Sequence, residues 1–349
     1  MAVASRLSTL WLAWLVTIIT PAQTVQTVLG NWDGIWNIEI ARTGYTALDP
    51  RVPFARLAFM PILPISTGLI SRVTGLGLYA VGITITTLTG TAGIVLLYRY
   101  IEHERGRETA TWSMLLLVFA PAGFALGMFY TEGPVLLFVA LTFIFLRDRR
   151  FELAGLAAMA GSLTRSNGFL LVVPCAVFAV QELRRGGSRR ALLAPLLAPV
   201  GFIAWIGYCW YRTGDAMGYF RVEEQGWGSK IDGGWATLQT VWDFLRFDID
   251  NPHAMIWVPT LLILGIGGLV LCVRQRLPLH WTAYAAAMLL VPLVNARQTS
   301  EGRFLLPAFP LFVAWASVLR PSARAVVLGA SAMMMGGIFM AVSVSGVSP

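Results

Sequence analysis

Apolar residues fall in blocks long enough to cross a bilayer, and the blocks recur along nearly the whole chain between short Arg-rich or Gly/Pro/Trp-rich connections. A hydrocarbon core about 30 Å thick needs roughly twenty apolar residues in helical conformation. The pattern predicts spans near Leu7–Thr27, Leu78–Tyr98, Ala110–Tyr130, Pro134–Leu146, Leu153–Leu163, Gly168–Val180, Ala191–Tyr211, Ala254–Val273, Trp281–Asn295, Phe304–Leu319 and Ala325–Val344, about eleven crossings in all. Runs such as Ala254–Val273 are apolar on every face, whereas a transmembrane strand alternates apolar and polar positions over roughly ten residues. The chain therefore reads as an all-α polytopic transmembrane helical bundle, one integral membrane domain over residues 1–349. The two short spans after Arg150 read equally as a tilted or re-entrant hairpin. Pro61 and Pro64 make Leu57–Val73 a candidate for a helix that dips into the membrane without crossing it.

Composition agrees: 56% of the 349 residues are hydrophobic, 13% are charged and the mean hydropathy is +0.68, far too apolar for a soluble domain of this size. Charge then orients the bundle. With the N-terminus inside, the cytoplasmic segments hold Arg6, Arg99, Arg105, Arg107, Arg147, Arg149, Arg150, Arg184, Arg185, Arg189, Arg190, Arg274, Arg276, Arg320 and Arg324, fifteen of the twenty-six Lys and Arg. Of the eighteen acids, only Glu102, Glu104, Glu108, Asp148, Glu152 and Glu182 fall on that side. The net charge of +8 is thus a matter of topology and implies no nucleic-acid partner. The first span reads as retained, although Arg6 before a short apolar run and Pro21 after it resemble a cleaved signal. Cys175, Cys209 and Cys272 stand singly in apolar runs, as small buried residues do, without metal or redox spacing.

Two long connections, 28–77 and 212–253, fall on the outer face, where long loops host sites. The first opens with Asn31-Trp32-Asp33-Gly34-Ile35-Trp36-Asn37-Ile38-Glu39-Ile40-Ala41-Arg42-Thr43-Gly44-Tyr45, two tryptophans around an acid and then a helical stretch that Gly44 ends. Taken alone, this is as readily an interfacial aromatic belt with Asp33 as a helix cap. Glu132, in Tyr130-Thr131-Glu132, and Arg165, in Leu163-Thr164-Arg165-Ser166-Asn167-Gly168, put ionisable groups at the ends of spans. Charge at that depth is costly and serves a substrate, an ion path or a partner, and these two can simply pair with each other.

Together with Phe59-Met60-Pro61-Ile62-Leu63-Pro64, Gly214-Asp215-Ala216, Gln225-Gly226-Trp227-Gly228 and Ser300-Glu301-Gly302-Arg303-Phe304, these segments resemble, in order and over most of the chain, the PIG-V-type mannosyltransferases of the GT-C class. Two departures stand out: Asn37 where the family commonly has an aromatic residue, and Ala58-Phe59-Met60-Pro61 in place of an aromatic-rich Phe-Phe-Pro motif. The resemblance implies inverting transfer of a sugar, mannose in that family, from a polyprenyl-phosphate donor to a glycan, glycolipid or protein acceptor at the extracytoplasmic face. It needs no cofactor or metal beyond the lipid-linked donor. A carboxylate must take the acceptor proton and cations must meet the departing phosphate. Asp33 is the expected catalytic base, with Glu39 its rival unless Glu39 pairs with Arg42. Arg165 and Arg303 are expected on the phosphate, with Arg297 and Arg56 as substitutes. Trp32, Trp36, Trp227, Glu132 and Glu301 complete the expected substrate contacts, although tryptophan at a membrane surface is more often an anchor.

Asp248-Ile249-Asp250 mimics the acid-x-acid element of soluble sugar-nucleotide enzymes, but no alternating strand-helix pattern surrounds it. His103, His253 and His280 are too scattered to form a ligand set. A transporter or flippase would also suit spans broken by Pro and Gly, but no internal repeat is visible. A non-catalytic subunit of a membrane complex would leave Asp33 dispensable. The orientation predicts that an impermeant thiol reagent added to intact cells labels a cysteine placed beside Asp33 and spares one placed at Arg189. Labelling at 189 from outside inverts the topology and removes the site from the outer face.

Overall fold

The computed structural model describes residues 1–46, 48–49, 52–247, 252–297 and 301–344; the side chains of residues 252–254, 256 and 301 lie outside that description. Helix α1 (Ala2–Ile19) ends before Pro21, so the first predicted span starts earlier and stops sooner than expected. The first long connection folds into α2 (Val25–Leu29), α3 (Asp33–Thr43) and α4 (Ile62–Thr74). Helix α5 (Leu78–Arg105) then runs the full depth of the bundle, and two hairpins follow: α6 (Arg107–Val118) with α7 (Glu132–Arg147), and α8 (Phe151–Ser162) with α9 (Val172–Arg184). Helices α10 (Leu193–Leu197) and α11 (Val200–Thr213), jointed at Pro199, lead to the second long connection, with α12 (Gly218–Trp227) and α13 (Trp235–Leu245). Helices α14 (Pro252–Pro259) and α15 (Gly268–Arg274) flank a π-helical stretch, Thr260–Gly267; α16 (Leu279–Val294), α17 (Glu301–Leu305), α18 (Phe309–Val318) and α19 (Pro321–Val344) close the chain. Among the described residues the only β pairing is an isolated bridge between Ile231 and Asn295.

Among the described residues six helical segments are long and apolar enough to cross a membrane: Ala2–Ile19, Leu78–Arg105, Ser166–Arg184, Arg189–Thr213, Trp257–Arg274 and Pro321–Val344. The remaining expected crossings are shorter. The clearest correction is the span expected at Ala110–Tyr130. Helix α6 stops at Val118, because Pro121 disfavours helical geometry at the residue before it, and the chain continues as a 3-10 turn, Gly123–Gly127. Helices α6 and α8 have 12 residues each, so each rises only about 18 Å. The tops of these hairpins, at Tyr130–Glu132 and Leu163–Arg165, therefore lie below the ends of the long helices. Gly133, next to Glu132, meets Gly90, which is twelve residues into α5 and so about 18 Å below its start. Helix α4, with 13 residues, is too short to cross; it packs on α3 and leaves Leu69, Ile70 and Val73 exposed.

Contact between α5 and α7 depends on residues without side chains. A Cβ on Gly133 would stand 2.8 Å from the Thr86 carbonyl oxygen and 3.2 Å from Gly90 Cα, so the two backbones touch at the level of Glu132. Within the bundle, Tyr100, Phe143, Trp281 and Phe309 form a closed aromatic cluster, with Trp281 Nε1 donating to Tyr100 Oη at 2.8 Å. A second cluster, Tyr45, Leu57, Trp205, Cys209 and Tyr219, packs the two long connections together with α11.

The charges sort as the sequence divides them. Every ion pair among the described residues joins two groups assigned to the same end of the bundle, such as Arg149 with Glu182 and Arg324 with Glu108 at one end, and Arg56 with Glu39 at the other. Arg6 departs from expectation: it lies inside α1, is buried, and donates to the Leu126 carbonyl, so it belongs to the helix packing and not to a basic loop. Replacing Gly133 with Val should cost about 1–3 kcal/mol of stability, because neither backbone can retreat. Gly77→Ala, where a Cβ meets nothing within 4 Å, should leave the melting temperature in detergent unchanged. Equal melting temperatures for the two variants would refute the close α5/α7 contact.

Candidate active site

Four of the expected residues meet at one point. Asp33 opens the first turn of α3, Glu132 opens α7, Arg165 lies at the top of the α8/α9 hairpin, and Arg303 lies on α17. The Arg303 guanidinium hydrogen-bonds the Asp33 carboxylate through Nη2 and donates through Nε to Glu132 Oε1 at 2.6 Å. Arg165 Nη1 donates to the same Glu132 oxygen at 2.9 Å and to Thr131 Oγ1 at 3.0 Å. The Arg303 guanidinium carbon lies 4.4 Å from the centre of the Tyr130 ring and that of Arg165 lies 5.0 Å from the Phe304 ring, so aromatic faces cover the cations where acids do not. Two acids and two cations balance, as burial at this depth requires.

Local structure explains the convergence. Trp32, at φ 53°, sits in a region that residues other than glycine rarely adopt, and the reversal it makes starts α3 with Asp33 turned inward. Asp33 is accordingly the first helical residue and no side-chain cap is made, which corrects the helix-cap reading. Helices α2 and α3 are fixed against the segment before Glu132: Phe129 N donates to the Leu29 carbonyl of α2 at 2.8 Å, and buried Asn37 of α3 donates through Nδ2 to the Phe129 carbonyl at 3.3 Å. A polar residue at 37, where the resembled family commonly has an aromatic one, thus joins two walls of the site. Opposite, the Ile62 amide donates to the Leu163 carbonyl at 3.2 Å and ties the start of α4 to the Arg165 turn.

Exposure separates the two acids: the Asp33 side chain is 30% accessible, while Glu132 is 0% and Arg303 3%. Asp33 alone of the pair can meet a ligand, and Glu132 anchors both guanidinium groups from below. Burial pushes the Asp33 carboxyl upward, but the Arg303 charge and hydrogen bond, with the charges of Arg165 and Arg297, outweigh it and hold the group below the usual carboxylate range.

Trp36 lies on Phe59 with ring centres 5.7 Å apart and 18° between planes, and Trp227 meets both rings edge-on, at 5.7 Å and 5.4 Å. Trp32 turns away from this group: its Nε1 donates to the Val342 carbonyl at 3.2 Å, tying the loop to α19. Glu39 pairs with Arg56 at 3.0 Å and not with Arg42, which removes Arg56 from the free cations as well. Glu301 begins α17 but its side chain is outside the described residues, as are Asp248 and Asp250.

Glu223 escaped the sequence reading. It stands on α12, accepts a hydrogen bond from Tyr219 Oη at 3.1 Å, and is near enough for the charges of Arg297, Arg165 and Asp33 to act on it. Burial, with Asp33 adding to it, pushes its carboxyl up to about 7 against the pull of the cations. The one signal in the sequence is its spacing, four residues before Trp227 and so on the same helical face.

No protein-family model matches the chain, and no curated protein matches it. Its fold is similar to that of ArnT from Cupriavidus metallidurans. The structure of that protein bound to undecaprenyl phosphate aligns with TM-score 0.54 at 17% identity, over 85% of this chain and 57% of that one. Its apo structure aligns with TM-score 0.56 at 16% identity, over 90% and 61%. This chain thus spans less than two thirds of the length of those neighbours. An Archaeoglobus fulgidus oligosaccharyltransferase aligns more loosely, with TM-score 0.47 at 14% identity over 82% of this chain and 44% of that one. The fold is thus a helical membrane bundle similar to that of ArnT.

Removing Arg303 leaves two acids, one of them fully buried, to share Arg165 as their remaining cation in the cluster. Arg303→Ala should destabilise the protein by about 3–5 kcal/mol, and adding Glu132→Gln should restore part of the loss, because the neutral amide needs no counter-charge. Thermal unfolding of the purified variants checks this; a double variant no more stable than Arg303→Ala refutes the ion-pair account.

Proposed function

We propose that this chain is an inverting glycosyltransferase that moves a sugar, mannose by its PIG-V-like motifs, from a polyprenyl-phosphate donor to an acceptor hydroxyl at the extracytoplasmic face. One observation carries the reading: an accessible carboxylate, Asp33, stands beside two guanidinium groups at the sunken tops of short hairpins. The fold it sits on is shared with a protein whose structure holds undecaprenyl phosphate. Anionic lipid phosphate and an attacking hydroxyl need those two kinds of group side by side.

In the proposed step the acceptor oxygen forms a bond to the anomeric carbon on the face opposite the phosphate. The bond from that carbon to the phosphate oxygen breaks, and its electron pair leaves with the lipid phosphate. Asp33 takes the acceptor proton. Arg303 and Arg165 meet the developing phosphate charge, with Arg297 nearby. Glu132 keeps both guanidinium groups aimed, and its burial makes it a poor competitor as base.

Asp33→Asn preserves size and hydrogen bonding but cannot accept a proton at neutral pH. It should fold normally, bind donor nearly as well, and lose about a hundredfold or more in turnover. Glu39→Gln should keep most activity, since Glu39 is engaged with Arg56. Arg165→Ala should weaken donor binding and turnover together. The assay is transfer from a short-chain polyprenyl-phosphate mannose in membranes freed of endogenous carrier, with and without chelator. Near-parental rates from well-folded Asp33→Asn protein sink the mechanism, and strict dependence on a nucleotide sugar and a divalent metal sinks the donor assignment.

A further inference from the structure

Asp33 has two unlike sets of neighbours. One is cationic: Arg303 and Arg165 lie behind Asp33 on α17 and at the α8/α9 turn. The other is α12, which brings an acid and an aromatic ring. Glu223 and Trp227 are four residues apart and share a helical face. On α3, Asp33 and Trp36 are three apart and share a face in the same way. The two tryptophans touch at 5.7 Å, and the two acids are near enough for their charges to interact. Each helix therefore contributes one carboxyl and one indole to a common space, which the aromatic cluster of Tyr45, Trp205 and Tyr219 holds together behind them.

We propose that α12 is the acceptor wall, on which Glu223 accepts a hydrogen bond from a hydroxyl of a sugar ring lying against Trp227, so that the acceptor is a glycoside. The proposal rests on the transfer reading above. A phosphate-bearing donor is drawn to the two guanidinium groups, so the two substrates sort by charge. Arg221, the basic residue of α12, is exposed and engaged with Asp215 at 2.9 Å, which leaves the wall without a cation of its own. A carboxyl beside an indole suits a sugar, whose hydroxyls donate hydrogen bonds while its C–H face covers an aromatic ring. Tyr219 Oη holds one Glu223 oxygen, and among the described residues no protein donor holds the other. Glu223 is a binding and positioning residue here; the acceptor proton still goes to Asp33.

The test uses the full chain in detergent, a short-chain polyprenyl-phosphate mannose as donor, and two acceptors, octyl α-mannoside and octanol. The parental protein should glycosylate the mannoside and spare octanol. Glu223→Ala should raise the mannoside KM about threefold or more, the loss expected for an ordinary hydrogen bond, with a much smaller change in donor KM. Glu223→Asp should recover part of it, and Trp227→Ala should act in the same direction with Trp227→Phe closer to the parent. A merely structural Glu223 would lower the melting temperature and leave the ratio of the two KM values alone. Unchanged mannoside KM in folded Glu223→Ala protein, or equal use of octanol, overturns the acceptor wall and leaves the transfer reading standing. Parental protein that consumes no donor with either acceptor overturns both.

Discussion

The Arg303 guanidinium, bound on one side to Asp33 and on the other to Glu132, is the interaction on which the arrangement of this molecule turns. It joins residues 270 and 171 positions away, and so connects the first long connection, the top of the α6/α7 hairpin and the short helix before α18. A lone guanidinium or carboxylate at that depth would be prohibitive, and no single contact repays the desolvation of either. The cluster persists because each charge has an opposite within hydrogen-bonding distance and an aromatic face on its open side, Tyr130 for Arg303 and Phe304 for Arg165. Packing and electrostatics are inseparable here. Helix α3 has to be where it is for Asp33 to close the network, and the Asn37 and Phe129 hydrogen bonds put it there.

Short helices create the room. Had α6, α7, α8 and α18 each crossed the full thickness, their ends would lie at the membrane surface and the charges with them. Instead a proline after α6 and the Gly90–Gly133 contact keep the hairpin tops low, beneath long helices such as α5. The result is a floor of charge set below a rim built from the two long connections, which pack together with α11 through Tyr45, Trp205 and Tyr219. Irregular backbone at membrane depth is tolerated only where protein buries it or where it lines an aqueous cavity.

Much of this was legible in the sequence, for reasons that differ by element. Long apolar blocks announce helices whatever the tertiary context, so α1, α5 and α19 could be read directly. The broken segment at Ala110–Tyr130 could not, since hydropathy is blind to where a helix stops and Pro121 alone does not say how far the chain sinks. Glu132 and Arg165 were readable because charge at the end of an apolar span is rare, and Asp33 and Arg303 because the motifs around them resemble those of a known family. The pairing of Glu132 with Arg165 was readable too, but the contacts of Arg303 were not, because nothing local relates residue 33 to residue 303. Glu223 was hidden for the opposite reason. It lies in a polar loop beside a second glutamate, where an acid is unremarkable, and only the fold brings it opposite Asp33. The pairing of Glu39 with Arg56 instead of Arg42 has the same origin, a return of the chain that spacing along one helix cannot foresee.

Under the proposed transfer, the ion pair between Asp33 and Arg303 has a consequence for when the base is active. A carboxylate held below its ordinary range by a guanidinium is a weak base, since basicity falls with the pKa. A lipid phosphate carries charge that competes for the same guanidinium, and it offers several oxygens where Asp33 offers one contact. As Arg303 turns toward phosphate, Asp33 loses its strongest stabilising partner while its burial remains, so its affinity for a proton rises. Glu132 does not move with it, because Arg165 still satisfies the shared oxygen from the other side. The donor would thus release the base that its own reaction needs, and an unloaded site would keep Asp33 occupied. That ordering follows from three charges sharing one cation, and it requires no conformational change larger than the swing of a side chain.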